Sequence, residues 1–153
     1  IAWKQPNSLF LNDGQGRFRD AGRDSGLADA AAVHRGCGIA DFDANGRIDI
    51  VVLALGSRAE LWSNESAPGN GWLTVRLTGT KSNRDGIGAR VLVGDQVRTM
   101  TTAMGYASSS HAGVHFGLGA APPPVRVEVH WPSGARQVVE EVKPNQVVEI
   151  REK

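Results

Sequence analysis

The chain has 153 residues, room for one ordinary domain or two small ones and enough to bury a core. With 41% hydrophobic and 22% charged residues it matches a folded soluble domain, which sets disorder aside. A formal charge of +1 argues against a basic nucleic-acid binder, and no apolar run approaches the roughly 18 residues of a membrane span.

Glycine and proline together account for 26 of 153 residues, which favours many turns and short strands over long helices. Residues 1–66 sum to −2 and residues 67–153 to +3, too little for a steering field in either half. The single cysteine, Cys37, rules out an internal disulfide and a multi-cysteine zinc site, and is expected to be a small buried thiol. The start Ile1-Ala2-Trp3, with neither Met nor a signal-like apolar region, is expected of a piece of something longer.

Taken in order, Ser8 to Asn12 predicts a strand, Asp13-Gly14-Gln15-Gly16 a hairpin loop, and Arg17 to Asp20 the return strand. The alanine-rich stretch 26–33 reads as a helical turn or a loop. Gly36 to Ala40 is strand-like, and Ile48 to Leu55 is so continuously apolar that burial on both faces is expected. Ala59 to Asn64 closes this part. Its Leu-Trp-Ser-Asn resembles Leu9 to Asn12 at a spacing of 52, near the period of some propeller blades. Glu65 to Gly71 is polar and turn-rich, the best boundary between two domains, 1–66 and 72–153.

Beyond it, strands are predicted at 72–77, 89–93, 96–102, 114–116, 125–131, 137–141 and 147–150. Short alternating strands with Gly, Pro, Asn and Asp at the joints describe an antiparallel β-sandwich or jelly roll. The fold class is therefore all-β.

Metal chemistry is written into one loop. Asp41, Asp43, Asn45 and Asp49 put oxygen side chains at positions 1, 3, 5 and 9, Gly46 allows the tight turn, and the Arg47 carbonyl adds a ligand at position 7. Hard oxygens at this spacing suit Ca²⁺ and not zinc or copper. Position 12 is Val52 where an EF-hand needs a bidentate Glu, and strand-like residues follow, so the loop joins two strands.

Ala40 to Val52 resembles the calcium loop of FG-GAP/VCBS β-propeller repeats, and Asn7 to Phe18 resembles the strand and hairpin between such loops. Residues 72–150 resemble the ASPIC/UnbV domain, through Gly79 to Val91, His115-Phe116-Gly117-Leu118-Gly119 and Val129 to Gly134. The resemblance implies a C-terminal fragment: residues 1–66 a partial propeller blade, residues 72–153 the sandwich. Since one blade cannot bury both faces, an exposed blade edge leaves self-association open.

The function expected is a non-enzymatic, calcium-stabilised binding or adhesion module with a protein or carbohydrate ligand. The resemblance and the need for calcium imply an extracellular or periplasmic location. A second expectation is a purely structural assembly element, with Trp72 and Trp131 as packing anchors. A third is a hydrolase using Ser108, Ser109 or Ser110 with His111, His115 and Asp85, against which stands the missing Gly-x-Ser-x-Gly elbow. Glu128 and His130 alternate on a strand without a metal-binding spacing.

Overall fold

The computed structural model describes residues 3–106, 108–110 and 113–153. Among these every regular element is a strand. In the first half they are β1 (Gln5–Pro6), β2 (Phe10–Asn12), β3 (Phe18–Asp20), β4 (Ala31–Ala32), β5 (His34–Ala40), β6 (Asp49–Ala54) and β7 (Glu60–Trp62). The second half holds β8 (Asn70–Thr78), β9 (Arg90–Val93), β10 (Gln96–Thr99), β11 (Ala103–Gly105), β12 (Ser108–Ser109), β13 (Val114–Ala120), β14 (Val125–His130), β15 (Arg136–Val142) and β16 (Gln146–Arg151).

The second half is a two-sheet sandwich. One sheet has the order β13-β8-β16 and the other β10-β9-β14-β15. Alternation decides what goes inside: Leu73, Val75 and Leu77 of β8 point in, while Arg76 and Thr78 are exposed. They meet Val91, Val93, Val127 and Val129 of the opposite sheet, with Phe116 of β13 and Ile150 of β16, in one apolar cluster. Each Val, Leu or Phe fully buried in this way contributes about 1.5–3 kcal/mol.

The antiparallel sandwich expected from the sequence needs one correction. β13 runs antiparallel to β8, but β16 runs parallel to it, with Val148 opposite Val75 and Ile150 opposite Leu77. The connection from β15 crosses from one sheet to the other, so no hairpin dictates the direction in which β16 enters.

A carboxylate pins the end of this strand. Glu152, 3% exposed, accepts from the backbone N–H groups of Thr80, Lys81 and Ser82 at 2.8, 2.8 and 2.7 Å. The hydroxyls of Ser82 and Ser133 add bonds of 2.9 and 2.5 Å. Burial works to raise its pKa, but the Ser133 hydroxyl and the three N–H groups outweigh it and hold the group at about 2.

The first half is built from small sheets. β5-β6-β7 is an antiparallel three-stranded sheet, the hairpin β2-β3 stands as a separate pair, and the stretch expected as a helical turn or a loop is a turn followed by β4, which pairs with β1. Glu60 ties them together, accepting from Asn7 Nδ2 at 3.2 Å and Trp62 Nε1 at 3.1 Å and meeting His34 Nε2 at 3.0 Å. Burial of β6 on both faces is not found: Leu53 is 53% exposed, because no second layer covers that face among the described residues.

Candidate metal centre and the cleft beside it

Pairing of Ala40 with Asp49 closes residues 41–48 into the connection between β5 and β6. Ala44 and Gly46 both take positive φ, at 59° and 86°, which curls the backbone so that its N–H groups turn inward. Asp41 receives them: Oδ1 accepts from Asn45 N at 3.0 Å and Oδ2 from Gly46 N at 2.8 Å. Asp43 accepts from the Asn45 backbone N–H at 3.2 Å and from its Nδ2 at 2.5 Å, while Asn45 Oδ1 takes the Arg47 N–H at 2.8 Å.

Asp49 is the anchor. It is 2% exposed, and its two oxygens accept from Phe42 N at 2.9 Å and Asn64 N at 2.8 Å. Oxygens of Asp41, Asp43 and Asp49 lie within 4.8 Å of one another. No basic side chain bonds to any of the three among the described residues, and the Arg47 guanidinium is drawn to the Asn64 carbonyl at 2.6 Å. Three clustered carboxylates are a hard-oxygen donor set, which fits a divalent cation of the calcium type. Asn45 stands in the loop with its amide engaged by Asp43 and Arg47, and the Arg47 backbone N–H donates to its Oδ1.

The same loop is seated on the sandwich. A Cβ built on Gly46 would fall 1.9 Å from Trp72 Nε1, so glycine is what lets the indole reach the loop backbone. Trp72 in turn stacks on His115, with centroids 6.0 Å apart and planes at 17°. His115 Nδ1 sits 2.9 Å from Thr74 Oγ1. Burial pushes the His115 pKa down, Asp41 opposes that, and Arg98 adds to it.

A second seam joins the halves. The ribbon of β11 and β12 lies beside β5, the edge strand of its sheet: Cys37 N donates to Ser108 Oγ at 2.8 Å, and Ser110 Oγ donates to Ile39 O at 2.9 Å. Side-chain hydroxyls thus occupy polar groups that an edge strand leaves open. Cys37 itself is exposed, not buried as expected, because on this strand it is Gly36 that takes the inward position. Burial of part of the thiol still raises its pKa.

Between loop and sandwich lies a cleft of about 560 Å³. It is lined by Ile39 and Asp41 from the first half, by Arg76 of β8 and His115 of β13, and by Arg98 and Thr99 of β10.

The remaining expected site residues fall elsewhere. Ser108 donates to the Tyr106 carbonyl at 2.8 Å and Ser110 to Ile39, so neither hydroxyl is held by His115. His111 lies outside the described residues. Glu128 and His130 are 2.7 Å apart and Arg126 joins Glu128 at 2.8 Å, a surface ion-pair group in which His130 and then Arg126 lower the Glu128 pKa against the effect of burial. Trp131 is 3% exposed in the core, whereas Trp72 is half-buried at the seam. The Trp72–Gly46 contact and the serine bridges to β5 had no counterpart in the sequence reading.

Residues 79–153 match the family model described as ASPIC and UnbV. The second half carries an ASPIC/UnbV domain. The match starts just after β8, although β8 is the central strand of its sheet. Thr80 to Ser82 and Ser133, from two stretches that suggested this resemblance, meet on the Glu152 carboxylate. That gives those stretches a role in holding the fold.

Over 98 residues, 64% of the chain, it is 33% identical to human cartilage acidic protein 1. It is similar to the mouse and Xenopus tropicalis proteins of the same name at 31% and 30% identity. The aligned stretch spans 13–14% of the length of these curated relatives.

Proposed function

We propose that the chain is a non-enzymatic binding module, stabilised by calcium and acting outside the cytoplasm, with a protein or carbohydrate ligand. The observation that carries this reading is the convergence of Asp41, Asp43 and Asp49 on a loop that is itself seated on the sandwich through Gly46 and Trp72. A bound Ca²⁺ would supply fixed positive charge that holds the three carboxylates together and stiffens the wall of the adjoining cleft. The Asn45 side chain and the Arg47 carbonyl are proposed as further ligands.

On this reading residues 1–66 are an FG-GAP/VCBS-like blade and residues 72–153 the sandwich that follows it. Leu53, Leu55 and Leu61, at 53%, 68% and 65% exposure, favour a further protein surface packing on the first half, either another blade or a second copy. The extracellular or periplasmic location is part of the proposal and rests on the likeness to a protein named for cartilage. The seam between β5 and the β11-β12 ribbon favours a second reading, in which the sandwich is purely an assembly element capping a propeller.

The test is calcium titration by calorimetry with thermal melts in calcium and in chelator. One-site binding is expected, with stabilisation of about 2.7 kcal/mol at a hundredfold excess over Kd. Asp43→Ala should abolish binding and leave the sandwich folded; stoichiometric binding retained in that variant refutes the site.

A further inference from the structure

We propose that the 560 Å³ cleft between the aspartate loop and the sandwich binds a carboxylate-bearing sugar, recognised by Arg76 and Arg98. The inference names the ligand class of the binding module proposed above and rests on that reading. A cleft of this size is far larger than a bare ion needs and falls in the range of small-molecule sites.

Its charge is supplied by two guanidinium groups from different strands, Arg76 on β8 and Arg98 on β10. Elsewhere on the surface Arg19, Arg84 and Arg126 are each paired with a carboxylate. Neither cleft arginine has such a partner among the described residues. Glu149 stands opposite Arg76 in register without pairing with it, and Arg98 lies 5.6 Å over the Phe116 ring, a contact that leaves its N–H groups unused. Arginine's planar fork matches a carboxylate with two parallel hydrogen bonds, which a point charge does not.

The other wall components suit a polyol body. Thr99 and Thr101 bring hydroxyl groups, and the half-exposed Val97 and Val147 offer aliphatic surface for the C–H face of a ring. Asp41 also lines the cleft, and its two oxygens already accept the backbone N–H groups of Asn45 and Gly46.

The experiment is a calorimetric titration of the whole chain with D-glucuronate, with D-glucose and inorganic sulfate as controls, in calcium and in chelator. Saturable glucuronate binding is expected, with little for glucose and weaker binding for sulfate. Arg76→Gln and Arg98→Gln should each weaken it about tenfold, as expected for the loss of a charge-assisted pair. Both positions are exposed, so an unchanged melting midpoint will show that the fold is intact.

No glucuronate binding, equal binding of glucose, or full affinity in both variants overturns the proposal. If sulfate binds as tightly as glucuronate, the cleft is an anion site without sugar selectivity, and the proposal fails on that point. Calcium uptake without glucuronate binding sinks this inference alone. Glucuronate binding without calcium uptake sinks the cation reading alone.

Discussion

The contact between Gly46 and Trp72 can be tested by adding one methyl group. In Gly46→Ala the new Cβ would lie 1.9, 2.1 and 2.4 Å from three atoms of the indole, where carbon contacts settle at about 3.5–4.0 Å. The ring must therefore move by well over an ångström, a displacement of the overpacking kind that costs about 1–3 kcal/mol. Alanine at φ 86° adds about 1–2 kcal/mol of backbone strain. The control is Gly56→Ala: its φ is 68° and nothing lies within 4 Å of the added methyl, so only the backbone cost applies.

The excess for position 46 over position 56 should be about 1–3 kcal/mol, measured by urea unfolding followed through near-ultraviolet circular dichroism. In a Trp72→Ala background the excess should vanish, since the atoms that clash are gone. Equal losses for the two glycine variants, or an excess that persists without the indole, would refute the claim that the loop is seated on Trp72.

Two further perturbations separate the parts of the structure. Phe116→Ala, in the fully buried core, should cost about 3–5 kcal/mol in urea unfolding and leave the β5-β6-β7 sheet paired. Glu152→Gln should be less stable than the parent at neutral pH. Because the folded carboxylate titrates at about 2, below its ordinary 4.5, its contribution is complete above pH 4.5 and is lost as pH falls towards 2, so the two melting curves should converge over that window. Curves that stay parallel down to pH 2 would mean that the carboxylate is not what holds β16.

How far the fold was legible depended on whether the deciding force was local. The second-half strands were readable because Trp72 to Leu77 and Val125 to Trp131 alternate cleanly, and that alternation is what one covered face imposes. The clustering of Asp41, Asp43 and Asp49 was readable because their spacing along one tight loop is a local geometric demand. The parallel entry of β16 was not readable, because it is settled by packing between residues more than 70 positions apart. The β11-β12 ribbon, composed of Ala, Met, Gly and Ser, has too little apolar contrast to announce a strand. Its partner, the edge of β5, lies some 70 residues away.

The repeat at Asn12 and Asn64 shows the same division between local and long-range effects. Asn12 ends β2 and Asn64 lies two residues past β7, and each accepts the N–H two residues on, Gly14 at 2.6 Å and Ser66 at 3.0 Å, a turn that asparagine after a strand commonly forms. Only Asn64 has a second role, donating its N–H to Asp49 and its Nδ2 to the Ile48 carbonyl at 3.2 Å. Asp49 is thus fixed from outside its own loop before any cation is considered, and its burial is tolerable because both oxygens are matched. Asp41 and Asp43 are likewise held by N–H groups of the loop, so taking up a cation requires little new ordering. The arrangement therefore favours stiffening by calcium over folding driven by it, and it predicts that Asp49→Ala will loosen the strand ends in calcium and in chelator alike, whereas Asp43→Ala, which loses only its exposed bonds to Asn45 in chelator, will cost more where calcium is present.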